Sequence, residues 1–182
     1  MENSRVPSET TLLQRARSFD HDALTEIYDL YSPGLYRYAQ RLLGDPILAE
    51  ECVSEIFTRF LQILRKQKGP QVYLQAYLYK IAHNWITDHF RHNVPVEELD
   101  DEGSDKSPDP EQAAGEILRQ ERLRVLLKRL TPDQRQVIAL KFFEEWDNDQ
   151  ISLALNKPVG AVKSLQHRAL ANLKRWISIE EL

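Results

Sequence analysis

Apolar side chains return every three to four positions through three stretches of the amino-terminal half, the spacing that lines them along one face of an α-helix. The first stretch runs through Leu24, Ile27, Tyr28, Tyr31, Leu35, Tyr38, Ala39 and Leu42, and Gly44-Asp45-Pro46 breaks it. The second takes in Cys52, Val53, Ile56, Phe57, Phe60, Leu61 and Leu64 and ends before Gly69-Pro70. A third carries Leu74, Tyr77, Leu78, Ile81, Trp85 and Ile86 and stops near Asn93, because Val94-Pro95 disfavours further helix. No alternating pattern competes for a strand.

The carboxy-terminal third reads as a second set of helices. Thr131-Pro132-Asp133-Gln134 combines a threonine cap, a proline at the first helical position and a glutamine spaced for a capping box, which predicts a helix from about Pro132 to Phe143. A short helix over roughly Asp149 to Leu155, a turn at Asn156 to Gly160 and a last helix to about Trp176 complete a helix-turn-helix. On that last helix Val162, Leu165, Ala169, Leu173 and Trp176 form one apolar stripe.

Between the two sets lies a stretch that cannot bury a core. From Glu97 to Glu116 nine acids stand against Lys106 alone, a local charge of −8 in a chain of −4, so the remaining residues carry +4. With Gly103, Ser104, Ser107, Pro108 and Pro110 this composition predicts an extended, solvated connector. The expected fold is therefore all-α: two small helical domains joined by an acidic flexible linker, the second a helix-turn-helix (winged-helix-like) DNA-binding domain. The expected boundaries are an extension over 1–19, a first domain over 20–93, the linker over 94–119, a second domain over 120–178 and a tail over 179–182.

Where the bases fall points to nucleic acid. From Lys157 to Trp176 there are five Lys or Arg and no acid, and Lys163, Ser164, His167, Arg168, Lys174 and Arg175 lie opposite the apolar stripe. An ordinary solvated face would intersperse acids. A helix with this face in a major groove can bind phosphates while some side chains reach base edges. A second concentration runs from Arg65 to His92: Arg65, Lys66, Lys68, Lys80 and Arg91 against Asp88, interleaved with Tyr73, Tyr77, Tyr79, Trp85 and Phe90. Cations with aromatic faces suit an unpaired strand, although several of these rings must be core. The loop from Lys66 to Val72, turning at Gly69-Pro70, is placed to surround an extruded base.

Other chemistries find little support. Cys52 is the single cysteine, expected as core filler, which excludes an internal disulfide and a cysteine-built zinc site. His89 and His92 share a helical face but lack a carboxylate set, so no metal and no cofactor are expected. No glycine-rich phosphate loop, serine elbow or HExxH is present, so the chain is not expected to be an enzyme. The amino terminus has no signal-peptide pattern and no apolar run spans a bilayer, which predicts a cytoplasmic protein without membrane insertion.

Three segments resemble the sigma-70 family of RNA polymerase sigma factors. Ala49-Glu50-Glu51-Cys52-Val53-Ser54-Glu55-Ile56-Phe57 is similar to the family's polymerase-binding helix, and Tyr77 to Asn84, continuing through Ile86 to Arg91, to its promoter-melting helix. Gly160 to Leu170 is similar to the recognition helix of the second sigma domain. The chain has no room for the central domain of housekeeping factors, which points to the extracytoplasmic-function (ECF) subgroup. The resemblance implies that Asp45, Glu50, Glu51, Glu55 and Arg59 dock on the clamp helices of the polymerase largest subunit, with the second-largest subunit's flap as a further contact. It implies that Lys66, Lys68, Tyr73, Tyr77, Lys80, Asn84 and Arg91 capture the −10 element, and that Lys163, Ser164, His167, Arg168 and Lys174 read the −35 element. It also implies promoter DNA, core polymerase and an anti-sigma factor as partners. Ser54 and Glu51 stand where the family often has glutamine and aspartate, and Leu165-Gln166 replaces a frequent Arg-Leu pair, so promoter preference does not carry over. The alternative is a stand-alone helix-turn-helix regulator that binds DNA without polymerase.

Overall fold

The structure, a computed structural model, describes residues 9–92 and 110–180, which leaves most of the acidic connector outside the described residues. Among them are eight helices and no strand, and so no wing beside the helix-turn-helix: α1 (Glu9–Arg17), α2 (His21–Leu43), α3 (Pro46–Arg65), α4 (Leu74–His92), α5 (Pro110–Arg129), α6 (Pro132–Phe142), α7 (Asn148–Leu155) and α8 (Val159–Glu180).

Local chemistry fixes the ends of these helices. Asp20 opens α2 by accepting from the backbone N–H groups of Asp22 and Ala23, and Gly44 closes it in the left-handed region at φ 80°. That conformation and the stem of Arg124, 3.0 Å from where a Cβ would sit, both call for glycine. Asp45 caps α3 with Pro46 in the first turn. The capping box expected at Thr131 and Gln134 is present, and a second one, Asp147 with Gln150, starts α7. Asn156 makes the turn into α8 at φ 51°. The last helix begins at Val159, inside the expected turn, and runs past Trp176 to Glu180.

Two helices depart from the sequence reading. α1 lies within the expected extension, where Leu12, Leu13 and Ala16 are buried against α2 and α3. α5 starts at Pro110, so residues 110–119 of the expected extended linker are helical. The acids there sit on a helix whose apolar residues are scattered around it, and Ile117 and Leu118 are exposed. Periodicity gave no signal for such a helix.

α2, α3 and α4 bury Leu35, Tyr38, Cys52, Ile56, Phe60, Leu78 and Ile86 at their centre. Cys52 is core, and burial pushes its thiol up to about 12, leaving it unreactive. In the second set α6, α7 and α8 pack Val137, Leu140, Ile151, Val162 and Ala169. The buried Arg135 guanidinium donates to the carbonyls of Leu127, Lys128 and Leu130 and so closes the end of α5.

The two sets also share one core. α4 packs on α7, and the segment between α6 and α7 seats against α2 and α4. Tyr79 of α4 donates to Glu144 at 2.7 Å and its ring lies 5.0 Å from Trp146, while Arg41 of α2 donates to the Phe143 carbonyl. The Arg135 guanidinium lies 4.6 Å from the centre of the Phe90 ring.

His83 of α4 is half-buried on this seam, beside Thr87 and facing Asp133, Arg135 and Lys157. Burial chiefly, with the charges of Arg135 and Lys157, pushes its imidazole down to about 4 from the ordinary 6.5, and Asp133 opposes this only in part. Because the folded value lies below the unfolded one, protonation favours the unfolded chain. Stability is fully present above pH 6.5 and declines as the pH falls toward 4, by at most about 1.4 kcal/mol per unit. Urea titrations at pH 7, 6 and 5 are expected to show this slope and His83→Gln to flatten it. Equal slopes in both proteins would contradict the assignment.

Candidate nucleic-acid and partner interfaces

α8 presents the first surface. Val162 and Ala169 are fully buried, and Leu165, Leu173 and Trp176 pack against the core, as the stripe requires. On the opposite side Lys163, Ser164, His167 and Arg168 line one shallow exposed groove, and Lys174 is exposed two turns further along. The Arg168 Nε–H donates to the Ser164 carbonyl at 3.3 Å, so its guanidinium lies back along the helix. Placement early in the second helix of the pair is where side chains reach base edges in such folds.

The second surface combines the loop after α3 with the outer face of α4. Lys66, Lys68 and Tyr73 are exposed on the loop, and Lys80, Asn84 and Arg91 are exposed along α4. Arg91 has Asp88 at 3.9 Å, a loose exposed pair of little energetic weight. Tyr77 is half-buried, its ring 6.5 Å from Phe60, so it is shared between the core and this surface. The other aromatics of the stretch do not join it equally. Tyr79 is buried in the seam, Phe90 lies against Arg135, and Trp85 is half-buried with His89 stacked on it at 5.3 Å. The loop backbone is unusual: Gln67, Gly69 and Tyr73 have φ of 55°, 112° and 58°.

A third surface lies along α2 and α3. Glu50 and Glu51 are exposed, and Glu55 receives Arg59 at 2.6 Å on the same helix. Asp45 spends one carboxylate oxygen on the N–H groups of Ile47 and Leu48, so it serves α3 as its cap. Beside these acids is an open crevice of about 790 Å3 lined by Tyr28, Tyr36, Arg37, Glu50, Phe57 and Leu61, among others. The apolar part of this crevice was missed in the sequence. Tyr28 and Phe57 fit the helical stripe and read as core, yet Tyr28 is 48% exposed with its ring 4.8 Å from Phe57. A cluster of tyrosines on one amphipathic helix is the signal that a face is part core and part interface.

Among the described residues no group of three His, Cys, Asp or Glu is placed to hold a metal, and no helix is long and apolar enough to cross a membrane.

Two packed helical units, the second carrying a helix-turn-helix with a basic outer face, define a DNA-binding protein of the helix-turn-helix class. Residues 27–94 match the family model for Sigma-70 region 2, and residues 120–173 match that for Sigma-70, region 4. The chain is 31% identical to the ECF RNA polymerase sigma factor BldN of Streptomyces coelicolor, over 91% of this chain and 64% of that one. It is 30% identical to RNA polymerase sigma-E factor of Streptomyces avermitilis, covering 81% of each chain. It is also 30% identical to the ECF RNA polymerase sigma factor SigL of Mycobacterium tuberculosis, over 86% of this chain and 88% of that one. The chain belongs to the sigma-70 family of RNA polymerase sigma factors, in its ECF subgroup. Among solved structures, CnrH in complex with the cytosolic domain of CnrY shares the fold, with a TM-score of 0.73 at 18% identity over 95% of this chain and 99% of that one. RpoE of Bartonella quintana, in complex with the anti-sigma factor NepR, does so with a TM-score of 0.58 at 18% identity over 85% and 96%.

Proposed function

We propose that this sigma factor directs core RNA polymerase to promoters by reading the −35 duplex with α8 and opening the −10 element with the α3–α4 loop and the outer face of α4. The observation that carries the reading is the α8 groove, where Lys163, Ser164, His167 and Arg168 converge without an acid. Lys163 and Arg168 supply phosphate contacts, Ser164 and His167 reach base edges, and Lys174 extends the backbone contact. Opening is driven by binding energy: bases leave the stack because the loop and α4 hold them, and Lys66, Lys68, Lys80 and Arg91 neutralise the strand's phosphates. The polymerase supplies all bond-making chemistry.

Glu50, Glu51, Glu55 and Arg59 dock on the clamp helices beside the apolar wall of Tyr28 and Phe57, Asp45 setting the start of the docking helix. The flap meets the second unit. An anti-sigma factor, the partner in the RpoE complex, covers these faces when the factor is idle. Work at the polymerase places the protein in the cytoplasm.

Two measurements test this. Sigma-free core polymerase with the purified chain and genomic DNA is expected to give discrete new run-off starts. Glu50→Lys with Glu51→Lys is expected to weaken core association roughly tenfold, about 1.4 kcal/mol, read by fluorescence titration. Unchanged association would remove this face from the interface.

A further inference from the structure

We infer that α1 is a positioning element for strand capture, with Glu9 and Arg17 holding the α3–α4 loop in the conformation that presents Tyr73. The inference rests on the proposed role of that loop.

Tyr73 stands at the residue preceding α4, and its carbonyl accepts the first helical bond from the Tyr77 N–H. Serine, threonine, aspartate or asparagine is favoured at such a position, because a short oxygen-bearing side chain satisfies the free N–H groups of the first turn. Tyrosine cannot do this, and here it also adopts φ 58° in a residue that is 55% exposed. Both features cost free energy locally, and such backbone persists only where neighbours over-determine it. The missing cap comes from 65 residues away: Glu9 Oε1 accepts the Leu74 N–H at 2.9 Å. Glu9 is itself fixed, since the Tyr31 hydroxyl donates to its other oxygen at 3.2 Å. A carboxylate at this end of α4 also meets the positive end of the helix dipole.

The middle of the loop is held from the far end of the same helix. Arg17 Nη2 donates to the Gly69 carbonyl at 3.2 Å, and the Arg65 guanidinium lies 6.0 Å from the centre of the Phe19 ring just beyond α1. Gly69 is required here: its φ is 112°, and a Cβ would meet Ile63 Cγ2 at 3.1 Å. Two short contacts thus pin a loop containing three left-handed residues at its centre and at its exit. Without them the loop relaxes toward ordinary backbone, and the ring of Tyr73 leaves the place where an unstacked base would meet it.

The test uses full-length chain in holoenzyme on forked promoter DNA with 2-aminopurine at the unpaired upstream base of the −10 element. Glu9→Ala with Arg17→Ala is expected to lose about tenfold in strand affinity and the accompanying fluorescence change. Core association and binding to duplex −35 DNA are expected to change less than twofold. Glu9→Gln keeps an acceptor and is expected to recover most of the Glu9→Ala loss. Amide exchange at Leu74 is expected to speed up in Glu9→Ala even without DNA. Parental strand capture in the double variant, or a parallel fall in all three binding activities, would overturn the positioning role. If the parent itself captures no unpaired strand, it is the reading of the loop that fails, and Leu74 exchange still decides whether Glu9 holds α4.

Discussion

Lys163→Ala with Arg168→Ala is expected to lower holoenzyme affinity for duplex −35 DNA by about one hundredfold while leaving polymerase association unchanged. Both side chains are exposed and Arg168 makes only a long bond to its own helix, so neither change disturbs folding by more than about 0.5 kcal/mol. Each lost phosphate contact should also reduce the salt dependence, the slope of log K against log salt falling by about one per residue. That second readout separates a lost DNA contact from a misfolded helix, which would abolish binding at every salt concentration. Affinity and slope equal to the parent's would remove α8 from the interface.

Trp146→Ala is expected to have the largest effect on the free chain, about 3 to 5 kcal/mol, the range for deleting a buried tryptophan. Trp146 is 6% exposed and packs on Tyr79 across the seam between the two units. Tyr79→Phe is the milder companion. It keeps the ring and removes the hydroxyl that donates to Glu144, a bond to a charged group worth about 1.5 to 3 kcal/mol. The seam also bears on function. The −10 and −35 elements are named for positions about 25 base pairs apart, or ~85 Å at ~3.4 Å per pair, whereas a compact chain of this length has a radius of gyration near ~16 Å. If the two units read both elements at once, as proposed, they must part. Trp146→Ala and Tyr79→Phe are expected to expand the free chain in small-angle scattering, yet to leave transcription intact at saturating core polymerase. A Tyr79→Phe protein as compact and as stable as the parent would show that the seam carries little energy.

Most of the framework was legible because it rests on local chemistry. The stripes of α2, α3 and α4, the Thr131 cap and the apolar face of α8 are each written within one helix. α1 escaped notice because nine residues make too few turns to establish a period, and α5 because its acids and scattered apolar residues resemble a linker. The seam was not readable at all. Tyr79 meets Glu144 across 65 positions, and nothing in the local pattern distinguishes a ring that packs between units from one offered to a base. The exposed cations of α8 and of the α3–α4 loop lie where the sequence put them, while Asp45 turned out to cap α3 and Tyr77 to be half core.

Permanganate mapping of unpaired thymines at the run-off start sites tests the central claim most directly. With core polymerase and this chain together, reactivity is expected over the −10 element and to vanish when either component is omitted. Duplex that stays unreactive while the complex is bound, or a chain that grips its sites equally well without polymerase, would contradict the account.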